Sequence, residues 1–237
     1  MGYLDLDRLA TIDPASFRDQ KPFPWLNPAG LLHEDAYRRL VETLPDVSLL
    51  KPVFGARRLH GQQSHDRYTL EYDDDLPIAD PWKEFAAELR GGAYRDFLAR
   101  MLGTRAFDLN LHWHYTPKGC SVSPHCDSKR KLGSHIFYFN TEDDWDPAWG
   151  GETLVLDDGG RFDPRSAPRF EDFERVIPAQ ALGNRSLLFA RTDRSWHGVR
   201  EIVCPEGKLR KVFIVVINRR SPVTWIRRKL GLLPRGY

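Results

Sequence analysis

The sequence predicts a mostly β domain, a sandwich or barrel of short strands that carries helices on one side. Three observations support this. After about residue 105, seven short β-rich runs alternate with turn signals. Before it, apolar residues recur at helical spacing. The aliphatic run near the C-terminus, Val212 to Ile217, is six residues, far below the roughly 20 needed for a membrane-spanning helix. The 237 residues suit one domain or at most two, and no internal repeat of 20–50 residues is visible.

In chain order, the first helix is expected over 29–45. Asn27-Pro28 would open it, and Leu32, Tyr37, Leu40, Val41 and Leu44 would form its apolar stripe. A second is expected over 80–102, with Trp82, Phe85, Leu89, Phe97 and Leu98 on one face and a weak point at Gly91-Gly92. Asp73-Asp74-Asp75 reads as a solvated turn. Strands are expected near 107–115, 134–140, 152–157, 174–178, 186–191, 197–203 and 210–218. The stretch 157–173, with Gly159-Gly160, Pro164 and Pro168, reads as a long loop of the lid or binding kind.

The chain opens with acidic residues before any apolar run, so no secretory signal is expected. Leu6 breaks the myristoylation pattern. Cys120, Cys126 and Cys204 are odd in number and form no CxxC pair, which suits reduced thiols in a cytoplasmic protein. The formal charge of +2 argues against a wholly basic nucleic-acid binder. That total is an average. Residues 205–237 carry nine basic side chains and one acid, so the preceding 204 residues total −6. Beyond Arg219 the chain reads as a basic extension, a helix packed by Trp225, Ile226, Leu230 and Leu233, with docking to an acidic partner or membrane surface as the alternative.

His125-Cys126-Asp127 is an HxD triplet. On an extended segment, which Pro124 favours, residues i and i+2 share a face, so His125 and Asp127 can converge on one ion. A second triplet, His33-Glu34-Asp35, lies on an expected helix, where they do not. His197, 72 residues downstream, supplies a third ligand. Two histidines and a carboxylate form the facial triad of non-haem Fe(II) oxygenases, which leaves coordination positions open. Arg210 opens the last strand. Turned inward it would need an anionic partner, because a buried unpaired guanidinium is costly. Cys126 should point away from the metal. His112 and His114 share a strand face but lack a third ligand, so ordinary packing or surface positions are expected. His135 is expected to be structural.

These residues bring a family into view. From Leu109 to Asn218 the chain resembles the 2-oxoglutarate- and Fe(II)-dependent dioxygenases, in particular the prolyl 4-hydroxylase-like branch. The matching features come in order: Tyr115 and Gly119; His125 and Asp127; Phe137-Tyr138-Phe139-Asn140; Trp145 and Gly150-Gly151-Glu152-Thr153-Leu154; Phe189, Asp193 and Arg194 before His197; and Arg210. The resemblance implies a double-stranded β-helix, or jelly-roll, core over 106–218. Residues 1–105 would be a helical support and 219–237 a basic C-terminal extension of one dioxygenase domain. It implies Fe(II) on His125, Asp127 and His197. It implies 2-oxoglutarate with its distal carboxylate on Arg210, helped by Tyr138 and lined by Tyr115, O₂ as the second cosubstrate, and ascorbate as reductant. The gap from His197 to Arg210 is longer than usual for this branch, which keeps Lys208 and Lys211 as alternative carboxylate binders. Lys211 is the poorer of the two, because it points away from Arg210 on a strand.

The implied reaction converts 2-oxoglutarate to succinate and CO₂ while hydroxylating an unactivated C–H. A small molecule (an amino acid, a lipid or a biosynthetic intermediate) is the expected substrate, since nothing in the chain reads as a peptide-recognition domain. A protein or peptide side chain is the alternative, and a non-redox cupin-like metal protein a further one. Lys129, Arg130 and Lys131 are candidates to meet an anionic substrate group at the mouth of the site, with Trp145 and Trp149 beside them or pinning their own loop.

Overall fold

A computed structural model describes residues 2–220. Two antiparallel sheets face each other as a double-stranded β-helix. The strands are β1 (Trp25–Leu26), β2 (Lys51–Val53), β3 (Arg67–Glu71), β4 (Phe107–Pro117), β5 (Val122–His125), β6 (Lys131–Tyr138), β7 (Leu154–Asp157), β8 (Arg175–Pro178), β9 (Ser186–Ala190), β10 (His197–Val199) and β11 (Leu209–Arg219). The large sheet has the order β1-β9-β6-β11-β4-β3-β2, and the small one β5-β10-β7-β8. All seven expected strands form. The expectation lacked β1, β2 and β3, which are short or lie in mixed sequence, and β5, whose only sequence mark was the extended bias of Pro124. The N-terminal region is therefore not only a helical support, because β1 to β3 extend the large sheet.

The helices are α1 (Leu6–Thr11), α2 (Pro14–Asp19), α3 (Glu34–Glu42), α4 (Asp80–Arg90) and α5 (Gly92–Leu102). Helix α3 starts later than expected, with His33 at its N-cap, and Asn27-Pro28 does not open it. The expected 80–102 helix is two. A Cβ at Gly91 would lie 3.0 Å from the Glu88 carbonyl oxygen, and Gly91 ends α4 and precedes α5.

The alternation of β11 shows how the layers are built. Phe213, Val215 and Ile217 join the large core cluster with the helices, while Val212 packs on the opposite face. Trp82 of α4 is fully buried against Trp113, Phe139 and Phe213, with ring centroids 5.1, 4.9 and 5.2 Å away. Burying such aromatic surface dominates the stability of the helix-sheet contact. The large sheet is thus covered on both faces, by helices on one and by the small sheet on the other.

The loop 157–173 is not an open lid. Phe162 and Phe173 pack on the buried Trp196, with centroids 6.3 and 5.7 Å away, and the Asp158 carboxylate accepts from the backbone N–H groups of Gly160 and Phe162. Beyond Arg219 and Arg220, the expected basic helix lies outside the described residues. Among the described residues no helix is long and apolar enough to cross a membrane.

His135 points to the helix side, fully buried, with its Nδ1 2.7 Å from the Tyr94 hydroxyl. Burial pulls its pKa from 6.5 down to about 3. The unfolded chain then binds a proton here that the folded chain does not. This contribution to stability is intact above pH 6.5 and shrinks as the pH falls toward 3. His135→Phe is expected to cost about 1–3 kcal/mol at pH 7 by orphaning the Tyr94 hydroxyl, yet to make the acid decline shallower. Urea midpoints measured from pH 7 to 4 check both signs.

Candidate metal centre

Antiparallel pairing of β5 with β10 sets His125 directly opposite His197. Their ring centroids are 4.3 Å apart. Asp127 lies two residues past His125, where the extended chain returns its side chain to the same side. One ligand atom from each of the three residues lies within 4.8 Å of the others. All three are buried. The Nδ1 atoms of His125 and His197 are 3.0 and 2.9 Å from the carbonyl oxygens of Ser123 and Ser195. A carbonyl can only accept, so each Nδ1 carries the proton and each Nε2 keeps its lone pair for an ion. Burial lowers both imidazole pKa values, which keeps them neutral as a metal requires. For Asp127, burial alone would raise the pKa, but the Lys131 ammonium beside it, hydrogen-bonded to the carboxylate, holds it well below the usual carboxylate range.

Lys131 lines the cavity, as a residue meeting substrate would, and it also reaches the triad. Its Nζ donates to Asp127 Oδ1 at 2.7 Å, so it pairs the triad carboxylate from the cavity wall. Ser134 Oγ donates to Asp127 Oδ2 at 3.4 Å. Arg130 lines the cavity, whereas Lys129 is exposed and does not. Trp145 does not line it either. Its indole N–H donates to Gly150 O at 2.8 Å and it packs with Ile202, Cys204 and Trp149, so it pins its own loop. Cys126 Sγ faces the Asp193 carbonyl, 3.8 Å away.

The triad opens into a cavity of about 1380 Å³ whose wall also carries Arg210 and Thr153. Arg210 is buried on β11. Its Nε donates to the Gly151 carbonyl, its Nη2 to Thr153 Oγ1 at 3.2 Å, and its guanidinium carbon lies 5.8 Å over the Tyr138 ring. Tyr138 donates to the same Thr153 Oγ1 at 2.9 Å. Gly151, at φ +96°, makes the close approach possible, since a Cβ there would come within 3.2 Å of Arg210 Cδ. Among the described residues no carboxylate pairs with Arg210, and burial lowers its pKa. The alternatives are placed elsewhere. Lys208 lines a separate shallow pocket with Glu142 and Asp146, and Lys211 is paired with Asp144 at 2.6 Å.

Tyr115 corrects an expectation. It stands on the helix-facing side of β4, and its hydroxyl donates to Pro45 O at 2.9 Å. Its neighbours His114 and Thr116 face the cavity instead, as does His112. The two histidines are therefore cavity-wall residues rather than ordinary packing or surface positions. Thr153 and His65 carried no expectation. Thr153 was visible only as part of a turn and strand. The buried His65 packs against His125 with ring centroids 4.6 Å apart, its Nε2 3.1 Å from Ser123 Oγ, and it lies in mixed sequence with no motif.

Comparison with known proteins now bears on this geometry. The family profile described as the 2OG-Fe(II) oxygenase superfamily matches residues 111–227. No curated protein matches the chain. Among solved structures, a Pseudomonas putida prolyl-4-hydroxylase is 20% identical with a TM-score of 0.60, over 91% of this chain and 97% of that one. A Trichoplax adhaerens prolyl hydroxylase, in complex with a hypoxia inducible factor oxygen degradation domain peptide fragment, is 13% identical with a TM-score of 0.61, over 95% and 94%. The α-ketoglutarate-dependent carbocyclase SnoK from nogalamycin biosynthesis is 10% identical with a TM-score of 0.61, over 95% and 92%. At these identities the likeness to solved structures shows the fold, and the profile carries the family. Residues 111–227, close to half of the chain, match the 2OG-Fe(II) oxygenase superfamily, and the protein is a 2-oxoglutarate-dependent dioxygenase using Fe(II), 2-oxoglutarate and O₂ rather than a non-redox cupin-like protein.

Proposed function

We propose that this dioxygenase hydroxylates an unactivated C–H of a small molecule, with Fe(II) on His125, Asp127 and His197 and the distal carboxylate of 2-oxoglutarate on Arg210. The observation that carries the site assignment is the buried guanidinium with no carboxylate partner among the described residues, in the same cavity as the triad. Two imidazole nitrogens and one carboxylate oxygen suit Fe(II) and leave a divalent ion with a net positive charge that favours an anionic chelator. Bound Fe(II) supplies O₂ activation coupled to the decarboxylation of 2-oxoglutarate. The chain's own contribution is positioning. Arg210 gives two N–H groups in a rigid fork, and Gly151 O and Thr153 Oγ1 fix its orientation. Tyr138, through Thr153, completes the polar end of the space beside Ile136 and Ile214.

The small-molecule reading is supported by the concave shape of the cavity. The ligand space lies between the two sheets and is of the concave kind that takes small ligands. A peptide held by strand addition would instead lie along an open edge. The test is incubation with Fe(II), 2-oxoglutarate and ascorbate against pooled small metabolites and, separately, proline-containing peptides. Succinate formation and a gain of one oxygen are read by mass spectrometry. Oxygen gain in the small-molecule pool is expected; gain in the peptides alone would reject the reading.

A further inference from the structure

The inner face of the large sheet continues past the cosubstrate end onto β4 and β3. On β4 the residues that face the cavity are Asn110, His112, His114 and Thr116, and on β3 they include Thr69 and Glu71. The registers align them in rows. Thr69 lies opposite His114 and Glu71 opposite His112. Across β11, Ile214 lies opposite both His112 and Ile136, and Val216 opposite both Asn110 and Ser134. Ser134 is the residue that donates to Asp127. The β4 wall is thus two strand spacings, roughly 10 Å, from the strand beside the triad. A ring-sized molecule spans such a gap.

The imidazoles of His112 and His114 stand out on this wall. Their ring centroids are 6.1 Å apart, and among the described residues neither ring hydrogen-bonds to the protein. Both are half-buried on the cavity wall. Burial, then the nearby Lys131 and Arg67, pulls the His112 pKa down to about 4, and burial with Arg67 takes that of His114 well below its ordinary value. Among the described residues no third metal-ligating side chain joins them, so they are not a second metal pair. Two half-buried imidazoles side by side on a cavity wall, without a hydrogen bond to the protein, turn their donors and acceptors to whatever fills the cavity.

We infer that His112 and His114 are substrate-binding residues, and that the substrate of this oxygenase is a small molecule bearing several hydroxyl groups, held against the β4 wall. The inference rests on the small-molecule reading and narrows it. A neutral imidazole offers one N–H donor and one bare acceptor nitrogen. A hydroxyl, which both donates and accepts, satisfies either one. Asn218 and Asn110 add the same two-way chemistry in a chain of hydrogen bonds, Asn218 Nδ2 to Asn110 Oδ1 and Asn110 Nδ2 to Glu71 Oε1, each 3.0 Å. A pyrrolidine ring or an alkyl chain on this wall would leave both imidazoles dehydrated and unpaired.

The test uses the full chain loaded with Fe(II) and 2-oxoglutarate under anaerobic conditions. Binding of myo-inositol and methyl α-D-glucopyranoside is followed by saturation-transfer NMR, with cyclohexane and a proline-containing peptide as counter-probes. The variants are His112→Phe and His114→Phe, which keep a ring but remove hydrogen bonding, and His112→Asn and His114→Asn, which retain a donor and an acceptor. The expected result is polyol binding that each Phe variant weakens about tenfold or more and each Asn variant about threefold or less. The 2-oxoglutarate affinity of all four should stay near that of the wild type, which separates loss of a contact from loss of fold. No polyol binding, or polyol binding indifferent to both Phe variants, would overturn the inference. Binding of cyclohexane alone would do so while leaving the small-molecule reading intact, whereas binding of the peptide alone would remove both.

Discussion

Arg210→Ala is expected to raise the KM for 2-oxoglutarate by roughly two to three orders of magnitude, the loss typical of a buried charge-assisted pair. Fe(II) affinity should change little, because none of the three triad side chains bonds to Arg210. Arg210→Lys should recover only part of the loss, since an ammonium cannot form two parallel hydrogen bonds to one carboxylate. Uncoupled succinate formation at varied 2-oxoglutarate, alongside a metal titration, reads both quantities. Two controls make the assignment specific. Lys208→Ala should leave the KM unchanged, because Lys208 lines a different pocket. Tyr115→Phe should also leave it unchanged, costing only about 1 kcal/mol of stability for the lost bond to Pro45. If either control raised the KM as much as Arg210→Ala does, the carboxylate assignment would be wrong.

Asp127→Ala is expected to abolish turnover and to weaken Fe(II) binding by more than about 100-fold, beyond what loss of a supporting residue costs a metal site. Asp127 is the only anionic member of the triad. Its removal also leaves the Lys131 ammonium, 2.7 Å from the lost carboxylate, to repel the incoming cation. Anaerobic titration with Fe(II), read by the 2-oxoglutarate charge-transfer absorbance and by equilibrium dialysis, gives the metal affinity directly. Normal Fe(II) binding in the variant would sink the triad.

Much of this could be read along the chain. The strands of the core show period 2, and the order His125, Asp127, His197, Arg210 marks one cavity before any coordinates are seen, with Tyr138 behind its wall on Thr153. The helical pair α4 and α5 was legible as an apolar stripe interrupted at Gly91. What was not legible had local causes. Strands β1 and β2 are too short to show a period. Thr153 is unremarkable in sequence and acquires its role only where β7 brings it beside Arg210. Lys131 reads as part of a solvated charge run, yet it lies four residues after Asp127 on the return strand and reaches back to it.

Strand β4 marks the limit most clearly. Its alternation by itself sorts Trp113 and Tyr115 onto one face and His112 and His114 onto the other. It does not say which face meets the ligand, because β4 lies in a sheet buried on both sides. A strand half exposed to water declares its inner face by polarity; one enclosed between helices and a second sheet does not. The sequence alone determined the fold class, the candidate metal triplet with its distal histidine, and the inward arginine. Only the stacking of the layers decided that Tyr115 anchors to Pro45 on the helix side, while two histidines that looked incidental line the cavity.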